Sequence, residues 1–169
     1  MSLSIEIKGE DFKELEFWFD EVFKRLTYAD FEQQEKLKAR LAKVMSDDVE
    51  KRFASSPSTV RGGYVEGGEF WKPLSESYLA SRPDRKAGRI YVDTAQLMRS
   101  FNVNSPNLVS KFSDNLTYEF GTNLPYAPKL QNMRQIVFFY DELLDKIAEQ
   151  FLEWAIELPE DTKLTTKKI

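Results

Sequence analysis

The sequence predicts an α+β fold, in which long amphipathic helices pack against a mainly antiparallel β-sheet within a single domain. Three observations predict it. Apolar residues recur at helical spacing over 11–26, 31–55 and 141–158. Two short runs, 108–113 and 115–120, read as the strands of a hairpin joined by Ser113-Asp114-Asn115. The stretch 69–134 is punctuated by turn residues in the manner of a compact sheet, with long helices on either side. A chain of 169 residues is expected to form one domain. That domain is placed at 1–158, with a mobile loop at 55–68 and a flexible tail over 159–169.

The elements follow in order. Leu3, Ile5 and Ile7 alternate with Ser4, Glu6 and Lys8, the period of a half-buried strand, and Gly9 ends it. Asp11 with Glu14 makes a capping-box pattern for a helix to about Leu26. Its stripe is Phe12, Leu15, Phe19, Val22, Phe23 and Leu26, widened by Phe17 and Trp18. Thr27 or Asp30 is placed to cap a longer helix to about Ser55, striped by Leu37, Leu41, Val44, Met45, Val49 and Phe53. That stripe suits a core-facing helix or a face packed on a neighbouring subunit, and the two are not exclusive. Ser56-Pro57-Ser58, Gly62-Gly63 and Gly67-Gly68 make 55–68 read as a mobile loop that orders on assembly. Gly62-Gly63 lacks the frame of a phosphate-binding loop.

Pro73 suits the first turn of a short helix over 74–81 that stops near Pro83. Arg82, Arg85 and Lys86 make the next stretch basic, as a solvated loop or as a patch for acidic partners or phosphate. Arg89-Ile90-Tyr91-Val92 reads as a short strand. Thr94 is placed to cap a brief helix over 95–101 with Leu97, Met98 and Phe101 turned inward. Ser105-Pro106-Asn107 is a turn into the hairpin, whose buried faces carry Phe112, Leu116, Tyr118 and Phe120. Gly121 ends its second strand, and Asn123-Leu124-Pro125 turns the chain. The apolar run 135–140 (Ile136, Val137, Phe138, Phe139) reads as another strand. Asp141 caps a final helix with Leu144, Ile147, Phe151, Trp154 and Leu158 inward, stopped by Pro159.

Composition restricts the chemistry. The chain has no cysteine and no histidine. A thiolate nucleophile, a disulfide, a histidine general base and the usual zinc sites are therefore excluded. Carboxylate-only sites survive that filter, but none is assembled by the pattern. Asp47 and Asp48 sit on one helix and diverge by about 100°, which suits solvation. Asp141, Glu142 and Asp145 lie at a helix start, where the helix dipole already favours acids. Asp93-Thr94 reads as a strand-to-helix cap. No catalytic, metal or cofactor-binding residue is expected, and the chain reads as a non-enzyme. Residues 1–7 lack the pattern of a signal peptide, and no apolar run approaches the roughly 20 residues of a membrane span. The expectation is a cytoplasmic protein with no membrane partner. Arg82, Arg85, Lys86 and Arg89, interleaved with Trp71, Tyr78 and Tyr91, admit an alternative: a nucleic-acid-binding accessory protein using 82–89. The net charge of −4 weighs against it, because such binders usually carry a basic footprint.

Across 69–134 the residues Trp71, Pro73, Leu74, Ser75, Lys86, Thr94, Leu97, Ser100, Gly121, Thr122, Tyr126, Ala127, Gln131 and Arg134 occur in a telling order. Taken together they resemble the virion morphogenesis, or tail completion, family of tailed phages and prophages. That family shows Trp-x-Pro-Leu-Ser, a Lys, a strand into Thr-Gly-x-Leu-x-x-Ser, a hairpin, Gly-Thr, Tyr-Ala, His-Gln-x-Gly and an Arg before the last strand and helix. This chain departs from it at Ala95 and Met133, where the family has Gly, and at Leu130, where it has His. The resemblance implies structural work late in assembly: capping or completing the tail, or joining it to the head, as a ring of identical subunits. Implied partners are copies of itself, tail tube or tail terminator proteins, and head connector proteins. The implied location is the virion, at the tail or head–tail junction, and the host bacterial cytoplasm during assembly. Within that reading the loop 55–68, the C-terminal arm, Arg61, Tyr64, Arg82 and Arg85 are the expected assembly contacts.

Overall fold

A computed structural model of the chain describes residues 31–93, 95–112 and 117–157. The expected strand at 3–7, the helix over 11–26, Thr94, the hairpin turn, Leu116, Leu158 and the tail lie outside the described residues. Within them the fold is α+β, with helices joined to two small antiparallel sheets.

The spine is α1, Phe31–Ala54. It contains no glycine or proline, and Glu32–Lys36 and Lys43–Asp47 add favourable pairs four residues apart. Its apolar stripe serves two cores. Leu37 and Leu41 pack with Trp154 and Ala155, flanked by Phe112, Tyr118, Ile147 and Phe151. Val49 and Phe53 pack with Val65, Trp71, Ile90, Leu97, Phe101, Leu124, Ala127 and Ile136. The chain leaves α1 at Ser55, where the Arg89 guanidinium donates to the carbonyls of Ala54 and Ser56 and satisfies the helix end.

Two two-stranded sheets replace the single one expected. β1 (Gly63–Tyr64) pairs with β2 (Phe70–Trp71), setting Tyr64 opposite Phe70. The segment 55–68, expected to be mobile, is tied down along its length. Ser56 Oγ donates to Ile90 O, Thr59 N to Gly88 O, and Glu66 N to Ser55 Oγ. Thr59 is fully buried. Its glycines answer close approach. A Cβ at Gly62, where φ is +67°, would lie 2.5 Å from Trp71 O, and one at Gly67, where φ is +85°, 2.8 Å from the Tyr140 ring.

Pro73 does not open the next helix. α2 spans Glu76–Ser81, with Ser75 as its N-cap accepting from Tyr78 N at 3.3 Å. A 3-10 helix, Pro83–Ala87, follows directly. The strand expected at 89–92 is reduced to one bridge between Arg89 and Ser58, because Tyr91 turns into the left-handed region at φ 58°. α3 is Gln96–Ser100, and its cap position is Ala95 at φ 56°, without a side-chain cap.

β3 (Leu108–Phe112) pairs antiparallel with β4 (Tyr118–Thr122), Phe112 facing Tyr118 and Ser110 facing Phe120. The hairpin is as expected, but Gly121 lies inside β4, opposite Val109, rather than ending it. The turn expected at Asn123-Leu124-Pro125 is present, closed by Ala127 N donating to Leu124 O, and α4, Ala127–Met133, follows it with Pro128 in its first turn. The run 135–140 is not a strand. α5, Asp141–Glu157, closes the described chain. It runs antiparallel to α1. Tyr140, just before it, reaches Asp48, and near its other end Trp154 Nε1 donates to Gln33 O at 2.9 Å. Ile147, Phe151 and Trp154 face inward as expected, and Leu143, outside the expected stripe, is fully buried.

Candidate functional site: a main-chain-reading node

The run 135–140 has the composition of a strand, yet its polar groups are taken by side chains from three other elements. Gln131, in α4, accepts from Ile136 N at 2.7 Å and Val137 N at 3.0 Å through Oε1. Its Nε2 donates to Val137 O at 2.7 Å. Trp71 Nε1 donates to Gln135 O at 3.0 Å. Arg52, in α1, donates to Ile136 O at 2.7 Å and Phe138 O at 2.8 Å. A buried backbone group must find a partner, and here side chains do what a neighbouring strand would otherwise do.

The residues that supply these bonds are held in turn. Trp71 is fully buried, edge-on to Phe53 at 6.1 Å and Tyr91 at 5.3 Å between ring centroids. Arg134, also buried, follows α4 and donates to Lys72 O at 2.8 Å and Pro73 O at 2.9 Å. Its guanidinium lies over the Tyr91 ring, 5.6 Å from the centroid. Tyr91 O–H donates to Leu130 O at 2.9 Å, which accounts for holding a bulky residue at positive φ. Burial pushes the Tyr91 phenol above its ordinary pKa, so it stays a donor at neutral pH.

Arg52 belongs to a second buried group. It pairs with Asp48 one turn earlier in α1, and its guanidinium stacks on Phe138 at 3.7 Å from the ring centroid. Burial lowers the Arg52 pKa while Asp48 opposes that shift. Tyr140 O–H donates to Asp48 Oδ1 at 2.7 Å. Its pKa is raised, first by burial and then by the hydrogen bond to Asp48. Asp47 is exposed as expected and pairs with Lys43, but Asp48 is buried, so the solvated reading of the pair fails for its second member.

The other motif residues divide. Leu74 N donates to Thr59 O, Ser75 caps α2, and Leu97 and Ser100 are buried, with Ser100 Oγ donating to Leu97 O at 2.6 Å. Ala127 is buried at the start of α4, and Thr122 Oγ1 accepts from Leu124 N. Lys86 is exposed, and Tyr126 is exposed with its O–H donating to Gln96 Oε1 at 3.3 Å. A Cβ on Gly121 would meet nothing within 4 Å, so local packing does not require glycine there. Trp71, Pro73, Gln131 and Arg134 thus come together, whereas Lys86, Gly121 and Tyr126 stand apart from them.

Of the basic segment only Arg85 is drawn inward; Arg82, Lys86 and Arg89 stay exposed. Arg85 is buried, donating to Asp93 Oδ1 and to Arg89 O at 2.9 Å each. It is therefore not an exposed assembly contact. Arg82 is exposed but forks onto Asp84 at 3.0 and 2.8 Å. Arg89 holds the end of α1. Of the four cations available to a nucleic-acid reading, only Lys86 makes no ion pair or hydrogen bond through its side chain among the described residues. Arg61 and Tyr64 are exposed, Tyr64 at 72%. Their fixed place on the β1–β2 ribbon is not evident from the glycine-rich sequence around them.

Among the described residues, no group of three or more carboxylates is placed to hold a metal ion. None of their helices is long and apolar enough to cross a membrane. A shallow cleft of about 360 Å³ beside α1 and α3, lined by Ser46, Glu50, Met98, Arg99 and Asn102 among others, involves no node residue. The side-chain hydrogen bonds of Trp71, Gln131 and Arg134 all go to main chain. Chemically the node fixes a framework and offers no reacting group. Comparison of the chain with family models, characterised proteins and solved structures yields no match.

Proposed function

We propose that the protein is a structural, non-enzymatic component of virion morphogenesis that completes a phage tail or joins it to the head as a self-assembled ring. One observation carries the reading. Residues spread over 71–134, picked out by their order as tail-completion-like, meet in a single node in which Trp71, Gln131 and Arg134 each bind main chain. A second supports it: Ala95 stands at the family's glycine position, and its φ of 56° is a geometry that favours glycine. The node gives the chain a fixed body on which assembly surfaces can be presented. In this reading the partners are copies of the chain, tail tube or tail terminator proteins and the head connector, and the site of action is the virion.

The test is electron microscopy of lysates from the encoding phage or induced prophage after deletion of the gene. Filled heads and separate tails, restored to joined particles by the gene in trans, support the reading. Normally joined virions remove it.

A further inference from the structure

Among the described residues the β3–β4 hairpin has two open edges. Asn123 N donates to Asn107 O just beyond the paired strands, and the register runs unbroken from there to Phe112 opposite Tyr118. That phase places the hairpin's own main-chain bonds at Val109 with Gly121 and at Lys111 with Glu119. The N–H and C=O groups of Ser110 and Phe112 on β3, and of Tyr118, Phe120 and Thr122 on β4, therefore point away from the hairpin. No described main chain or side chain bonds any of them. The side chains of Phe112 and Tyr118 pack towards Leu37 and Leu41 of α1, so the alternate residues line the outer face. There Lys111 Nζ lies 3.1 Å from Glu119 Oε2. Neither strand carries the proline or the bulge that blunts an exposed edge. The β1–β2 ribbon, at two residues a strand, is too short to template a partner in the same way.

We infer that β4 of one copy pairs antiparallel with β3 of the next, so that the hairpins of successive copies form one sheet. Deepening the assembly reading on which it rests, this assigns the contact between subunits to main chain. A strand from any source could fill one edge. A copy of this chain fills both, because its two edges are equal in length, run antiparallel and turn the same alternate residues outward. Setting Phe120 opposite Ser110 of the next copy repeats the hairpin's own register and satisfies the free groups of both strands. The side-chain rows then continue. Glu119, beside Lys111 in its own hairpin, also lies beside Lys111 of the next copy. Gly121, where a Cβ would meet nothing within 4 Å, leaves room for the Val109 that follows. Two-fold pairing of β3 with β3 or of β4 with β4 instead brings Lys111 towards Lys111 or Glu119 towards Glu119, which is unfavourable. The contact is thus head-to-tail, and it closes into a ring or extends as a filament rather than stopping at a dimer.

The full chain is tested by sedimentation velocity over a concentration series, with circular dichroism to establish that each variant is folded. Ser110→Pro removes a donor from the outer edge of β3 and Thr122→Pro one from that of β4, while the bonds inside the hairpin stay in place. Each alone is expected to weaken self-association about tenfold or more, through the lost bond and the clash of the ring with the incoming strand. Ser110→Ala and Thr122→Val keep the N–H and are expected to associate like the unaltered chain. An equimolar mixture of the two proline variants is expected to form dimers and nothing larger, because the intact β4 edge of one meets the intact β3 edge of the other. Normal association of one proline variant while the other stays monomeric overturns the inference in favour of two-fold pairing. A mixture that stays monomeric overturns it too. Amide hydrogen exchange on the unaltered chain reads the same contact without a substitution. The Ser110 and Phe120 amides are expected to exchange slowly only in the associated chain, and those of Lys111 and Gly121 in the monomer as well. Slow exchange at Ser110 and Phe120 in the monomer overturns the inference, since the chain's own residues, such as the strand expected at 3–7, would then hold the edges. A chain that stays monomeric, or that assembles with both amides unprotected, also overturns it. Assembly through other surfaces sinks this contact and leaves the morphogenesis reading standing, because that reading is decided separately by the lysate particles.

Discussion

Replacing Gln131 with leucine tests whether the 135–138 segment is held by side chains in place of a strand partner. The substitution keeps approximate size and helix propensity in α4. It removes three hydrogen bonds, at 2.7, 3.0 and 2.7 Å, to Ile136 N, Val137 N and Val137 O. Ile136 is buried, so its N–H cannot readily turn to water. At about 1 kcal/mol for each bond, the loss is about 3 kcal/mol. For a chain of this size that lowers Tm by about 6–12 °C. Gln131→Glu keeps an oxygen that accepts from both N–H groups but faces Val137 O without a proton to donate, so it too should lower stability relative to the unaltered chain. Urea denaturation measures both variants. A Gln131→Leu chain within about 0.5 kcal/mol of the unaltered one would refute the reasoning.

Further outcomes follow from the same geometry. Ala95→Gly relieves a left-handed residue at φ 56°. Strain relief of about 1–2 kcal/mol set against about 0.5–1 kcal/mol of added chain entropy predicts a stabilisation of about 0.5–1 kcal/mol, read from the denaturant midpoint. Arg52→Met strands Asp48 and two main-chain carbonyls in the interior. It should cost about 3–5 kcal/mol, and less when Asp48→Asn accompanies it, measured as a double-mutant cycle. Tyr140 has a raised folded pKa. Its contribution is therefore complete below the unfolded tyrosine value near 10 and is lost as pH rises through the folded one. Tyr140→Phe should flatten the alkaline loss of stability, followed by fluorescence-detected unfolding from pH 8 upward.

What is legible in the sequence is periodicity. The stripes of α1 and α5 and the two strands of the β3–β4 hairpin follow from spacing alone, because packing there decides the structure. The 135–140 segment misleads because a continuous apolar run looks the same whether its backbone pairs with a strand or with side chains. The available signal is Asp48 with Arg52, an acid and a base one turn apart, with Arg52 set between Val49 and Phe53 on the buried flank of α1. The turn at Asn123-Leu124-Pro125 is legible, but the helix that follows it, α4, carries only a weak apolar pattern over Ala127–Met133, although Pro128 is tolerated in its first turn. The same rule, applied at Pro73, places a helix start two residues before the actual cap at Ser75. The paired glycines of 62–68 suggest flexibility, but Gly62 and Gly67 answer close contact with Trp71 and Tyr140, partners no local pattern reveals. At the candidate site, the order of Trp71, Gln131 and Arg134 can be read from the sequence. Their convergence on main chain cannot, since it depends on contacts more than 60 residues apart for Trp71 and Arg134.

The most direct test of the proposed role is the position of the protein in the finished particle. Purified virions carrying a C-terminal tag on this chain would be labelled with gold and imaged by cryo-electron microscopy. A label confined to the head–tail junction, one cluster per particle, is the predicted result. Virions that carry no label while the tagged protein still supports their formation, or a label spread along the tail, would contradict it.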